Sequence, residues 1–191
     1  MTNEPNRRRA MQGAALLAAA ASLPSTAFAM ETPMTGDAHD FDFLFGAWNV
    51  RHRYLKGRLV GSADWIEFNG TLRAGPLLGG TGNYDDNTLE KPEGFYRAVT
   101  LRAFDPATST WAIWFLDGRW PHTIGMPPMI GKFENRVGTF LCDDVNNGKP
   151  VICRFIWNAT DPEAPTWEQA LSPDKGETWE TNWRMTYSRM A

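Results

Sequence analysis

A carboxylate, a guanidinium and an imidazole lie close together in this sequence, in Asp117, Arg119 and His122. They follow an aromatic run that begins at Trp114. A carboxylate can orient an imidazole as a general base, and a guanidinium can bind a carboxylate or an enolate. We therefore take His122, Asp117 and Arg119 as candidate catalytic residues. The alternative is that Asp117 and Arg119 form a structural ion pair while His122 lies in a solvated loop.

A second group of charged residues lies within aromatic, alternating segments. Arg97 shares its strand face with Phe95, and Glu67 shares its face with Trp65. If these faces line a lumen, both charges are buried and must be paired or meet a polar ligand. We accordingly predict a ligand-binding set of Arg97, Glu67, Trp65, Trp114, Trp120 and Glu168. The alternative is that the opposite faces point inward.

Neighbouring residues 168 and 169 leave one choice open, because Glu168 and Gln169 must lie on opposite faces of a strand. One of the two is expected to join the interior. The ligand-binding set above includes Glu168.

Other motifs give weaker signals. The glycines of 79–82 are not followed by Gly-Lys-Ser/Thr, so we expect no nucleotide site there. We expect instead a close backbone approach or a bulge. Asp85, Asp86 and Asn87 offer hard oxygen ligands, but a calcium loop would supply more at spaced positions. The three histidines lie in no motif typical of a haem ligand. We therefore expect no metal and no cofactor.

The segments that must position these residues alternate with period two and are separated by turn residues. The candidate strands are 46–55, 62–74, 77–83, 95–105, 110–117, 130–134, 137–143, 151–158, 165–172 and 178–189. Short sequential loops favour an antiparallel up-and-down order, and closure removes exposed edges. The sequence therefore predicts an all-β barrel of about 8–10 strands, favoured over a sandwich.

The stretch 41–48 predicts how the barrel closes. Aromatic residues precede Gly46 and Trp48, which is typical of a short helical turn followed by the first strand. The last alternating segment ends at Arg189. We expect the last strand to pair with the first and to place the Arg189 guanidinium over the Trp48 ring.

Two hairpins are also expected. Cys142 and Cys153 occupy opposed positions around a turn at Asn147 and Gly148, so they either form a cross-strand disulfide or remain two free, half-buried thiols. The segment 172–179 resembles a single Asp-box hairpin. Its Asp174 is expected to cap backbone amides with Trp179 packed beneath, a structural role.

The first 29 residues resemble an export signal. Arginines 7–9 precede an alanine-rich run, and Ala27 and Ala29 provide a cleavage site for signal peptidase. The pair Arg8 and Arg9 favours the twin-arginine route over an ordinary secretory signal. The expected organisation is a signal peptide (1–29), a flexible lead (30–38) and one barrel domain (39–191), located in the periplasm or secreted.

Several motifs resemble a bacterial domain-of-unknown-function family, number 1579 in its series. They are 41–48, 78–87, 96–98, 102–106, 114–122, 167–170 and 172–183. The resemblance covers nearly all of the predicted mature chain and implies a lipocalin-like calycin barrel. Cys142 and Cys153 lie outside the family pattern. No activity is implied, since the family has no established function.

The predicted function is that of an exported barrel binding a small molecule, apolar or aromatic with an anionic group. The alternative is a metal-independent isomerase or lyase that uses the same pocket for proton transfer. The net charge of −3 and the lack of a basic stripe argue against nucleic acid as a partner, and no membrane insertion is expected after signal removal.

Overall fold

The computed structural model describes residues 36–191, and the predicted signal segment lies outside the described residues. The described chain forms a closed barrel of ten antiparallel strands in sequential order. The strands are β1 (Gly46–Leu55), β2 (Trp65–Leu77), β3 (Gly82–Lys91), β4 (Gly94–Asp105), β5 (Thr110–Asp117), β6 (Met129–Glu134), β7 (Val137–Asn146), β8 (Lys149–Asn158), β9 (Thr166–Ser172) and β10 (Glu180–Arg189). The predicted all-β, up-and-down barrel is confirmed.

Short 3-10 helices at Asp42–Leu44 and Leu78–Gly80 accompany the strands. The first closes one end of the barrel, which we call the floor. The opposite end, reached by β1 at Leu55, is the mouth. No helix within residues 36–191 is both long and apolar enough to cross a bilayer.

One expected strand is misplaced. The sequence predicts an extended segment at 77–83, but its centre is the 3-10 turn Leu78–Gly80, and the strand that follows is β3. Asp85 and Asn87 disfavour a strand by propensity and gave the turn-like signal. Their side chains are buried and paired inside the barrel, and these tertiary contacts override the local preference.

The floor is sealed by the residues before β1. Phe41 and Leu44 are fully buried, and the Phe41 ring meets the edges of Trp111 and Phe133 at centroid distances of 5.0 and 4.9 Å. Two residues of the expected lead also contact the barrel, because Gly36 is buried and the Asp37 carbonyl accepts a hydrogen bond from Trp111. The packed structure therefore begins before residue 39.

The first and last strands close the barrel as expected. Trp48 is paired with Arg189 in the β1–β10 register, and the Arg189 guanidinium lies 3.9 Å from the centre of the Trp48 ring. The same guanidinium donates to the carbonyls of Phe43 and Phe45, at 3.2 and 2.6 Å. The Trp48 indole donates to the Leu44 carbonyl at 2.7 Å. These contacts join the floor turn to both closing strands.

Both predicted hairpins are present. Asn147 and Gly148 have positive φ values of 50° and 75°, and Cys142 lies directly opposite Cys153. Both thiols are free, which agrees with the alternative of two unpaired cysteines. They are buried, whereas the sequence predicts them half-buried. A hydrogen bond with Cys142 and burial raise the pKa of the Cys153 thiol. A reactive thiolate is therefore disfavoured here.

The Asp-box hairpin has the predicted structural role. Asp174 accepts hydrogen bonds from the Thr178 backbone N–H and the Ser172 hydroxyl, both at 2.8 Å. Bonds from Thr178 and Ser172 lower the pKa of Asp174 to about 2. Trp179 lies under the turn, donates to the Gly176 carbonyl and is covered by the Arg154 guanidinium at 4.1 Å.

Replacing Trp48 by alanine should destabilise the barrel by about 3–5 kcal/mol, since it empties a large, fully buried aromatic site. Arg189→Ala should cost less, because its guanidinium is partly exposed. Chemical denaturation of both single variants and the double variant should give non-additive losses. Full additivity would contradict an interaction between the two side chains.

Candidate functional site

The barrel encloses a cavity between the floor and the mouth. It leaves about 90 Å³ for the centres of water-sized molecules, and room for one water needs roughly 10–15 Å³ on that measure. Its aromatic walls are Phe115, Phe155, Trp157, Trp167, Trp183 and Tyr187. Polar groups reach it from His52, Asp85, Asn87, Thr100, Arg102 and Gln169. The cavity is thus apolar in its walls with a few convergent polar side chains, the usual composition of a ligand site.

The charged residues predicted to line this lumen lie outside it. Arg97 is exposed and forms an ion pair with Asp86 on the outer face of the barrel, with Nε 3.2 Å from the carboxylate. Glu67 is also exposed and is paired with Arg51. The prediction that their faces point inward is wrong, and the alternative faces line the lumen.

The predicted aromatic and acidic partners share this outer placement. Trp65 and Trp114 occupy positions that alternate with buried residues, and Arg53 covers the Trp65 ring at 4.8 Å. Trp120 is exposed at the mouth. Glu168 forms an ion pair with Arg184, with Oε2 3.6 Å from Nε. Gln169, in contrast, is buried and lines the cavity. The choice of Glu168 over Gln169 as the inward residue was therefore wrong.

Asp117 and Arg119 form the structural ion pair of the alternative interpretation. The Arg119 Nη2 and Nε donate to the carboxylate at 2.6 and 3.0 Å, and the guanidinium stacks 3.8 Å from the centre of the Tyr96 ring. The bond from Arg119 lowers the pKa of Asp117. His122 is exposed in the following loop. The structure does not bring these three residues together as a base and its orienting carboxylate.

A buried ion pair that the sequence analysis missed lies deep in the lumen. Asp85 and Arg102 are paired with side chains 1% and 2% exposed. Arg102 also donates to Asn83 at 3.0 Å, and Asn87 donates to Asp85. The alternation of Asn83, Asp85 and Asn87 was the available signal, since polar groups at period two share one strand face.

Aromatic rings enclose this buried pair. The Arg102 guanidinium lies 4.7 Å from the Phe41 ring centre and 5.5 Å from that of Trp157. Arg102 Nε has no hydrogen-bond partner within residues 36–191. Because the charge of Arg102 is already neutralised by Asp85, this guanidinium is not free to bind a ligand anion by itself.

His52 is the second functional group in the lumen that was missed. It is 1% exposed, its ring stacks on Phe68 at 4.6 Å, and its Nδ1 accepts a hydrogen bond from the Trp183 indole at 3.2 Å. Burial lowers the pKa of His52 to about 3, and the positive charge of Lys91 adds to this effect. The neutral ring therefore carries its proton on Nε2. Gly70 makes room for it, because a Cβ there would lie 2.8 Å from Nε2.

These groups favour binding over proton transfer. A histidine with such a low pKa is a weak base at neutral pH, and its Nδ1 is already occupied. Burial raises the pKa of Tyr187, which lines the same cavity. Within residues 36–191, no three His, Cys, Asp or Glu side chains lie close enough to hold a metal ion. The neutral His52 Nε2–H and the Gln169 amide are suited to orient a ligand by hydrogen bonds.

The fold is a closed, up-and-down antiparallel barrel, as in lipocalin-like barrels. No family model and no curated protein sequence matches the chain. Among solved structures, the chain is similar to the S-type phycobiliprotein lyase CPES from Guillardia theta, with a TM-score of 0.51 and 11% identity. The similarity covers 79% of this chain and 90% of the other. At this identity it supports the fold alone.

The neutral state of His52 should make the barrel sensitive to acid. Its folded pKa lies below the unfolded value of 6.5, so the unfolded chain binds the extra proton as the pH falls. The stability contributed by neutral His52 is fully present above pH 6.5 and is lost between pH 6.5 and about 3. The slope from this residue should reach about 1.4 kcal/mol per pH unit.

Urea unfolding at a series of pH values measures this slope. His52→Gln should reduce it, whereas His122→Gln, in the exposed loop, should leave it unchanged. Equal slopes in wild type and His52→Gln would contradict the burial of a neutral imidazole.

Proposed function

We propose that this protein is an exported small-molecule-binding barrel whose ligand has an apolar or aromatic body and an anionic group. The observation that carries the proposal is the aromatic-walled cavity inside the closed barrel, with His52 and Gln169 among its lining residues. The rings of Trp167 and Trp183 offer faces and edges for an apolar body. The polar side chains then fix its orientation.

Access to the cavity is from the mouth. Phe115 and Met126 line both the cavity and an outer cleft that also includes Asp117 and Trp120. These two side chains therefore separate the interior from the outside. Methionine is unbranched and adapts its shape easily. A shift of Met126 would enlarge the cavity toward the cleft and admit a ligand longer than the closed space.

The alternative function, a metal-independent isomerase or lyase, has weaker support. The similar solved structure is named a lyase, which keeps lyase chemistry as a candidate. A base is the missing part, since His122 is exposed at the mouth and the low pKa of His52 makes it a poor proton acceptor. Detection of turnover that His122→Asn abolishes, with binding retained, would favour the enzyme.

We also propose membership of domain-of-unknown-function family 1579 and export by the twin-arginine route. The family motifs quoted above support the first proposal. The arginines at 8 and 9 and the alanine-rich run support the second.

Ligand binding is tested with N-phenyl-1-naphthylamine, a neutral aromatic probe that fluoresces in apolar surroundings. Thr100→Phe places a ring in the cavity and should weaken binding of the probe by roughly tenfold or more. Overpacking should cost about 1–3 kcal/mol of stability. Thermal melting checks that this variant is folded.

The matched control is Thr139→Phe, which adds the same ring at an exposed position of β7. It should bind the probe as wild type does. Equal binding by wild type and both variants would show that the probe does not enter the lumen, and absence of binding to wild type by this and other apolar probes would overturn the proposal.

Export is tested by fusing residues 1–29 to a folded passenger protein. The fusion should reach the periplasm, and Arg8→Lys with Arg9→Lys should retain it in the cytoplasm. Fractionation measures the outcome. Continued export of the double variant by the general secretory route would contradict the twin-arginine route but not export itself.

A further inference from the structure

Cationic side chains gather at the mouth around two tyrosines. Lys91 Nζ lies 4.2 Å from the centre of the Tyr54 ring and 5.8 Å from that of Tyr96. The Arg58 guanidinium lies 4.9 Å from the Tyr54 ring and donates to its hydroxyl. The Arg119 guanidinium lies 3.8 Å from the centre of the Tyr96 ring. Three positive charges therefore lie around the rings of Tyr54 and Tyr96.

Only one of these cations is neutralised by a close carboxylate. Arg119 is bound by Asp117, whereas neither Lys91 nor Arg58 forms an ion pair within the part of the chain that the structure describes. Lys91 is half-buried, and burial lowers its pKa, an effect that Glu93 and Asp117 oppose and that Arg119 and Arg58 increase. Desolvated like charges held close together repel one another, and an anion between them would relieve that repulsion.

This cationic surface lies one layer of rings above the cavity. Lys91 lies 5.8 Å from the centre of the Phe68 ring, and Phe68 stacks on His52, which lines the cavity. Tyr54 meets the edge of Trp183 at 5.3 Å, and Trp183 also lines the cavity. A ligand whose apolar body occupies the lumen would carry a terminal group to this surface at the mouth.

We propose that Lys91 and Arg58 bind the anionic group of the lumen ligand, which makes the ligand a carboxylate or sulfonate amphiphile. This inference rests on the proposed function. Tyr54 takes part, because its oxygen accepts the bond from Arg58, and its own O–H, which has no acceptor among residues 36–191, can donate to the anion. Lys91 would supply a compact point charge and Arg58 a planar fork to the anionic group.

Two matched fluorescent probes test the site. N-phenyl-1-naphthylamine is neutral, and 8-anilino-1-naphthalenesulfonate has the same aromatic body with an added sulfonate. Lys91→Met and Arg58→Met should each weaken the sulfonate probe by roughly tenfold, the order of a lost bond to a charged group. The neutral probe should bind both variants as it binds wild type.

Lys132→Met is the control, because it removes a lysine charge at an exposed position of β6, where Lys132 is paired with Glu134. It should change neither probe. If the variants at Lys91 and Arg58 weaken the binding of both probes equally, or weaken the binding of neither, the anion site is overturned while the lumen site stands. If wild type binds neither probe, the proposed function fails with it.

A free anion is distinguished by a third measurement. Inorganic phosphate should compete with the sulfonate probe for wild type but not displace the neutral probe. Suppose that Lys91→Met abolishes thermal stabilisation by phosphate and also weakens the binding of both probes equally. The site would then be one for free anions, and the assignment to the ligand's own group would be overturned.

Discussion

Pairing of β1 with β10 is the interaction on which the rest of this structure depends. It converts an open sheet of ten strands into a closed barrel, so every strand has one face inside and one outside. Arg189 ties that pairing to the floor turn through the Trp48 ring and two backbone carbonyls. Once the barrel is closed in this register, strand parity decides which polar groups are buried.

The polar groups that parity places inside are costly to bury. An ion pair such as Asp85 with Arg102 is often no more stable than apolar residues of similar volume. Arg102 also leaves its Nε without a partner within the described residues. The lumen therefore carries polarity beyond what packing alone needs, and its aromatic walls leave space beside these groups. This combination is typical of an interior that receives a ligand.

The strands and the closure could be predicted from the sequence because they depend on local signals. Period-two alternation and turn residues such as Asn147 and Gly148 act over a few residues, and the Trp48 and Arg189 positions mark the ends of the sheet. Strand β3 could not be placed correctly, since the burial of Asp85 depends on Arg102, which lies on the next strand.

The candidate site was harder to predict than the fold. Strands β2, β4 and β5 carry aromatic residues on both faces, so the sequence did not reveal which face is inside. Choosing the wrong face moved the predicted site from Arg102 to Arg97. His52 shares its strand face with Trp48, but its partner Trp183 comes from the far end of the chain. A single sequence contains no local signal for that contact.

The central claim is that the lumen receives the apolar body of an amphiphilic ligand while its anion remains at the mouth. A crystal structure with 8-anilino-1-naphthalenesulfonate tests it most directly. The account predicts the naphthalene ring inside the lumen against Trp167 and Trp183, Met126 displaced, and the sulfonate beside Lys91 and Arg58. Probe density confined to the outer face near Trp65 or Trp114, with the lumen unchanged, would contradict it.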